Sequence, residues 1–286
     1  MNLFIATSLI LSVTLSLCSY GQVSTAIIEN SLGTKATVLE KETEPSISRD
    51  ISTSVSCVID VLASPLYWDG NDALMAGSVA LGLGGSFLLD DEMRSLAVRN
   101  QSSFNENALV QIGNPYSTVL YVAPATVLLY FSGVAFENQW MRESGQMLGE
   151  ALATIAIVQI PLSITIGRAR PFFNEGNTSF KAFAGLDDDR ASFFSGHSMV
   201  AFSLSTILSR QIDNPWVSVG LYSLAALGPW SRLYKDKHWF SDTFLGSALG
   251  VFVGNSIWKW HNEEDRSHLG VRIIPTGRGL SLAWVF

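Results

Sequence analysis

Six segments of the chain, each 16 to 21 residues long, carry almost no charge: Ala73–Leu89, Tyr116–Phe136, Ala151–Ile166, Ala191–Ser209, Asn214–Ser231 and Thr243–Trp258. That length suits a buried or membrane-spanning helix and exceeds an ordinary strand. Glycine, alanine and serine recur inside the segments, as in Ala80-Leu81-Gly82-Leu83-Gly84-Gly85, and small residues let helix backbones approach closely. No β-α alternation and no glycine-rich phosphate loop interrupts the pattern. The expectation is an all-α fold, a bundle of about six core helices.

The flanks differ. Met1–Gly21 has no charged residue and an apolar run from Leu3 to Cys18, so residues 1–21 read as an export signal, with Gln22 the first mature residue. Residues 22–54, rich in Ser, Thr, Glu and Lys, read as a flexible arm, with compact structure beginning near Val55. Residues 55–268 form the expected helical domain. Ser64–Gly70 reads as a turn and cap leading into the first long helix. Residues 269–286 read as a short C-terminal β-hairpin turning at Thr276–Gly279. If Cys18 leaves with the signal, Cys57 is alone and reads as a small core residue. Trp258 and Trp260 read as packing rings at the end of the last segment. The net charge of −7 argues against nucleic acid as a partner.

Chemistry concentrates at three segment ends. In Ser231-Arg232-x5-His238-x3-Asp242, a helix would put His238 and Asp242 on one face, within hydrogen-bond reach. A carboxylate on one imidazole nitrogen raises the basicity of the other, as a nucleophilic histidine requires. Arg232 offers a planar fork of donors for phosphate oxygens. In Phe194-Ser195-Gly196-His197, Ser195 suits a helix N-cap, and the N–H groups that follow would form an anion site. In Gly167-Arg168-Ala169-Arg170-Pro171, the arginines read in isolation as caps on helix carbonyls. Asp187-Asp188-Asp189 reads as a solvated loop. No cluster with metal-ligand spacing appears.

Taken in order, these motifs resemble the type 2 phosphatidic acid phosphatase family, whose relatives include vanadium-dependent haloperoxidases. The family pattern is Lys-x6-Arg-Pro, Pro-Ser-Gly-His and Ser-Arg-x5-His-x3-Asp, and the third motif matches at every fixed position. The resemblance implies a metal-independent phosphatase without cofactor that hydrolyses a phosphomonoester, on a lipid or a soluble organic molecule. It implies that His238 attacks phosphorus, Asp242 orients it, and His197 protonates the leaving oxygen and then activates water. Arg170, Arg232, Ser195 and Gly196 would hold the phosphate. Two positions depart from the pattern. Ser163 stands where the lysine is expected; its hydroxyl would still donate one, weaker, hydrogen bond to the phosphate, with Arg168, Lys235 or Lys237 the alternative sources of charge. Phe194 stands in place of the proline. A vanadium-dependent haloperoxidase, with vanadate in the same pocket, and an inactive anion-binding bundle are the alternatives.

If the signal places the mature N-terminus outside, six spans would put the loop after Ile166 inside, opposite to the six-span members of the family. The reading is therefore an exported envelope protein with an extracytoplasmic site, and membrane association is left open.

Overall fold

A computed structural model describes residues 47–262, 271–276 and 279–284. The export signal, most of the expected arm, His268 and the Gly277-Arg278 turn lie outside the described residues. The chain divides after Ile51 into two units, and the account below concerns the second, Ser52–Phe286.

The described residues of that unit are mostly helical, with one strand pair. Helix α1, Ile47–Ala63, already starts within the stretch read as an arm. A 3-10 turn, Ser64–Tyr67, leads to α2, Gly70–Leu88, whose N-cap Asp69 forms a reciprocal capping box with Asp72. Then come α3 (Asp90–Arg99), α4 (Gln111–Ser117), α5 (Val119–Ala135) and α6 (Gln139–Ile166). After a long irregular connection follow α7 (Gly196–Ile212), α8 (Pro215–Tyr234) and α9 (Phe240–Asn262). Strands β1 (Val271–Thr276) and β2 (Gly279–Trp284) pair antiparallel, Thr276 opposite Gly279.

Two apolar segments differ from the helices that contain them. Tyr116–Phe136 is broken at Thr118, which is extended, and the two halves bend by 59°. The Thr118 N–H turns to the Pro115 carbonyl, and the hydroxyls of Ser117 and Thr118 donate to the carbonyls of Gly113 and Asn114. Helix α6 is longer than its apolar run, because a polar first half beginning at the Asn138 cap continues without a break into Ala151–Ile166.

Helix α7 is central, packed by α6, α8 and α9. Its contact with α9 runs along Gly246, Gly250 and Gly254, one turn apart. A Cβ at these positions would overlap the carbonyl oxygens of Ser195, Met199 and Ser203. Only hydrogen in place of a side chain lets the two backbones lie that close. Met199, Val200, Ile207, Val253 and Ile257 fill the core around the stripe with Met147, Leu148 and Ile155 of α6. Cys57 is fully buried in the same core. Trp258 packs under Arg210 and Trp260 donates to Asp60, so both rings are internal contacts. The tight α7–α9 contact sets the start of α7 beside the start of α9, and the site is built there.

Among the described residues, α6 is long and apolar enough to cross a membrane. The bent pairs Ile47–Tyr67 with Gly70–Leu88 and Ala108–Ser117 with Val119–Ala135 meet the same test.

Candidate active site

His238 does not lie on a helix. It sits in the short loop before α9, 4% exposed, held in place from both sides. Its Nδ1 is 2.7 Å from the backbone carbonyl oxygen of Ser192. A carbonyl can only accept, so Nδ1 carries the proton and Nε2 keeps a lone pair. That Nε2 lies 3.4 Å from Nη1 of Arg170, whose N–H its lone pair faces.

The Asp242 carboxylate expected on the imidazole approaches no closer than 3.8 Å. Asp242 is the third residue of α9 and folds back on its own helix start, accepting from Trp239 N–H at 2.8 Å. The same carboxylate accepts from Ser192 Oγ and from Arg168 Nη1, both at 2.5 Å. Ser192 thus touches Asp242 through its hydroxyl and His238 through its carbonyl. Asp242 orients the histidine through Ser192.

Arg168 explains the rest of this support. It is fully buried and bonds Asp90 at 2.7 Å, Asp242, Ser241 and the carbonyl of Asn177. Its guanidinium lies 4.4 Å from the Phe87 ring centre. Asp90 in turn accepts from Ser241 N–H and Oγ, both at 2.8 Å. Arg168 is therefore spent inside the fold and is not a substitute for the missing lysine. Burial pushes Asp90 toward its neutral form, while Asp242 pulls the His238 imidazole toward its charged form.

Gly167 makes the two arginines diverge. It ends α6 in the left-handed region, φ 59°, where a Cβ would overlap the Lys181 carbonyl. After this turn Arg168 points into the core and Arg170 to the site, and neither caps α6. Arg170 Nη1 donates to Lys237 O at 2.9 Å, and its other nitrogens to Asp188. Its own N–H donates to Asp189 O at 2.8 Å. The acidic run read as a solvated loop is thus a clasp for Arg170. It acts largely through backbone carbonyls, because the Asp188 side chain itself is mostly exposed.

Opposite stands the start of α7. Ser195 caps it, accepting from Ser198 N–H at 3.3 Å, while the Ser195 N–H donates to Asp242 O at 3.0 Å. Both groups of Ser195 are thereby engaged, leaving the N–H groups of Gly196 and His197, at the first two helical positions, for an anion. The His197 and His238 ring centres are 6.5 Å apart. Burial, reinforced by Arg232, His238 and Arg170, lowers the His197 pKa to about 3. Burial also lowers His238, against the pull of Asp242. Both rings are neutral at pH 7 in the free site.

Arg232 donates from Nη1 to Asn114 Oδ1 at 3.0 Å, and its Nε is buried without a partner among the described residues. Burial first, then the nearby Arg170, lowers it to about 10, still a cation at pH 7. An unmatched buried donor next to a second arginine is what a site for a multivalent anion leaves behind.

The remaining substitutes for the lysine sit further out. Lys237 Nζ lies 4.4 Å over the Phe172 ring and 3.6 Å from Asp188, and Lys235 is exposed. Ser163 is buried on α6, its hydroxyl without a partner among the described residues. One turn earlier, Gln159 reaches the cleft. A methyl group on Gly196 would stand 3.3 Å from its carboxamide carbon.

The model of the PAP2 superfamily matches residues 146–266, a stretch that holds every one of these motifs. Over that stretch, somewhat under half of its length, the chain is similar to the PAP2 superfamily. A lipid A 1-phosphatase of Porphyromonas gingivalis is 26% identical over 59% of this chain, and a lipid A 4'-phosphatase of the same organism is 32% identical over 28% of it. The match covers 34% of the length of each. The crystal structure of a transmembrane PAP2 type phosphatidylglycerolphosphate phosphatase from Bacillus subtilis superposes with a TM-score of 0.50. It is 18% identical, with 77% of this chain and 99% of that one covered, and it shares the fold.

The sequence reading missed three members of this site, Asp90, Ser192 and Asp188. Asp90 opens a charged helix and Ser192 lies in an irregular loop, so neither has a local signal. Asp188 was visible only as part of a charge run.

Proposed function

We propose that the chain is a phosphatase acting on a phosphomonoester, preferably one carried by a lipid, through a phosphohistidine on His238. The observation that carries this reading is the imidazole's tautomer. With Nδ1–H tied to Ser192 O, the Nε2 lone pair faces Arg170. Arg170, Arg232 and the Gly196 and His197 N–H groups bind the phosphate oxygens. The Gln159 carboxamide adds a neutral donor near the position from which the lysine is missing.

His238 Nε2 attacks phosphorus and the ester bond to the alcohol breaks. The cationic phosphohistidine is stabilised by the Asp242 carboxylate, 3.8 Å from its Nδ1. His197 is neutral in the free site, so its role as acid depends on the substrate. A phosphate dianion among the arginines offsets their charge and allows the ring to take up the proton it then gives to the leaving oxygen. Neutral again, the ring draws a proton from the water that cleaves the P–N bond.

Lipid as the carrier is supported by large exposed apolar side chains on the helices that can face a membrane. Leu74, Leu81 and Leu88 follow one another at seven-residue spacing on α2, all more than 70% exposed. Leu120, Leu128 and Phe131 on α5 and Ile157 and Ile160 on α6 are also exposed. The relatives named as lipid A phosphatases agree with this choice.

The test is phosphate release in excess EDTA from an aryl phosphate and from a phosphorylated lipid in mixed micelles. The wild type releases phosphate from both, with the higher kcat/KM on the lipid. His238→Ala loses at least about 10³-fold on both. Release that requires added metal, or that survives in His238→Ala, overturns the reading.

A further inference from the structure

A second cluster of reactive side chains lies away from the phosphate cleft. Cys57 of α1, Glu150 of α6 and His261 of α9 bring one ligand atom each to within 4.8 Å of one another. His261 is nineteen residues along α9 from Asp242, roughly 28 Å of helix at 1.5 Å per residue. The cluster therefore belongs to the far end of the bundle and takes no part in the phosphate chemistry.

We propose that Cys57, Glu150 and His261 form a binding site for a divalent transition metal of the zinc class. The donor set is a sulfur, a carboxylate oxygen and an imidazole nitrogen, a combination that suits zinc and not magnesium or calcium. Three protein ligands leave a fourth position for water. A tetrahedral ion at zinc distances holds its ligand atoms roughly 3.3–3.8 Å apart. Glu150 Oε2 and His261 Nε2 are now 2.8 Å apart, so they need to open by roughly half an ångström or a little more.

The carboxylate is already aimed. Glu150 is 2% exposed, and its second oxygen accepts from Ser54 Oγ at 2.8 Å. Ser54 Oγ in turn receives Gln146 Nε2 at 3.2 Å. Such outer hydrogen bonds hold a ligating carboxylate in one orientation. Cys57 is fully buried and His261 is the partly open member, so an ion enters past the imidazole. Binding releases the thiol proton to solvent and needs the neutral imidazole, which makes affinity rise with pH. An ion here ties α1, α6 and α9 together, a staple for the end of the bundle opposite the active site. Ligands scattered over three helices explain why no spacing in the sequence shows the site.

The test uses the full chain stripped with EDTA and then freed of it. Titration with Co2+ gives thiolate-to-metal absorption in the near ultraviolet, saturating at one equivalent, and Zn2+ displaces it. Cys57→Ser removes the band, and His261→Ala, at a partly exposed position, weakens binding at least about tenfold. Zn2+ also raises the melting temperature of the wild type but not of the variants. Absence of the band in the folded wild type, or uptake unchanged in both variants, overturns the proposal. Phosphate release assayed in parallel keeps the two sites separate. The variants turn over like the wild type, and an inactive protein that still binds Co2+ would count against the phosphatase reading alone.

Discussion

At the scale of single residues, the site is a problem in placing charge where there is little water. One buried and one half-buried imidazole stand beside two arginines, and both are neutral at pH 7 because desolvation and the neighbouring cations disfavour the protonated ring. The consequence for stability has a definite sign. The His197 value falls from 6.5 to about 3 on folding, so below pH 6.5 the unfolded chain binds a proton that the folded chain does not. Stability is full above that value and is lost as the pH falls toward 3. At pH 5 the loss is about 2 kcal/mol for this one group. Thermal melts from pH 7 to pH 5 show a falling midpoint, and His197→Gln flattens the slope. An unchanged slope in the variant means that His197 already carries its proton. The identity of the motif residues was legible because they are rare types at fixed spacing. The partners were not. Asp242 bonds Ser192 in place of His238 because the chain before α9 is irregular, and no helical spacing rule applies to it.

At the scale of elements, the α7–α9 contact decides where the chemistry stands. The apolar segments lie mostly in helices, although residues 191–195 are irregular chain before α7 and Tyr116–Phe136 is broken at Thr118, and the N-cap at Ser195 is where its residue type places it. What the segments could not show is where helices stop. α6 extends through a polar first half that apolar runs do not register, and the break at Thr118 depends on hydroxyls capping carbonyls. The glycine stripe was readable only as small residues, since the partner carbonyls lie on another helix. Gly250→Ala puts a methyl group against the Met199 carbonyl and costs about 1–3 kcal/mol, seen as a lower urea midpoint with kcat reduced. A variant as stable and as active as the wild type would mean that the helices have room to part.

At the scale of the whole molecule, two ends of one bundle do different work. The Arg170–His238–His197 end is the proposed phosphate site, and the Cys57–Glu150–His261 end is the proposed cation site. Between them the outer faces of α2, α5 and α6 expose leucine, isoleucine and phenylalanine, a surface better matched to acyl chains than to water. Flotation with phospholipid vesicles carries the full chain to the lipid fraction, and replacing Leu120, Leu128 and Phe131 together with serine reduces recovery there. A wild-type protein that stays in the aqueous fraction without detergent contradicts the membrane reading.

The central claim is that phosphate is carried covalently by His238. Rapid quenching of wild type and His197→Ala during turnover in EDTA, followed by mass spectrometry at neutral to alkaline pH, tests it directly. The account predicts an acid-labile phosphoryl group on the peptide containing His238 and, with an aryl phosphate whose phenoxide leaves with little help from an acid, a higher occupancy in His197→Ala, where hydrolysis of the intermediate lacks its base. Steady turnover with no phosphoryl group on that peptide in either protein would contradict it.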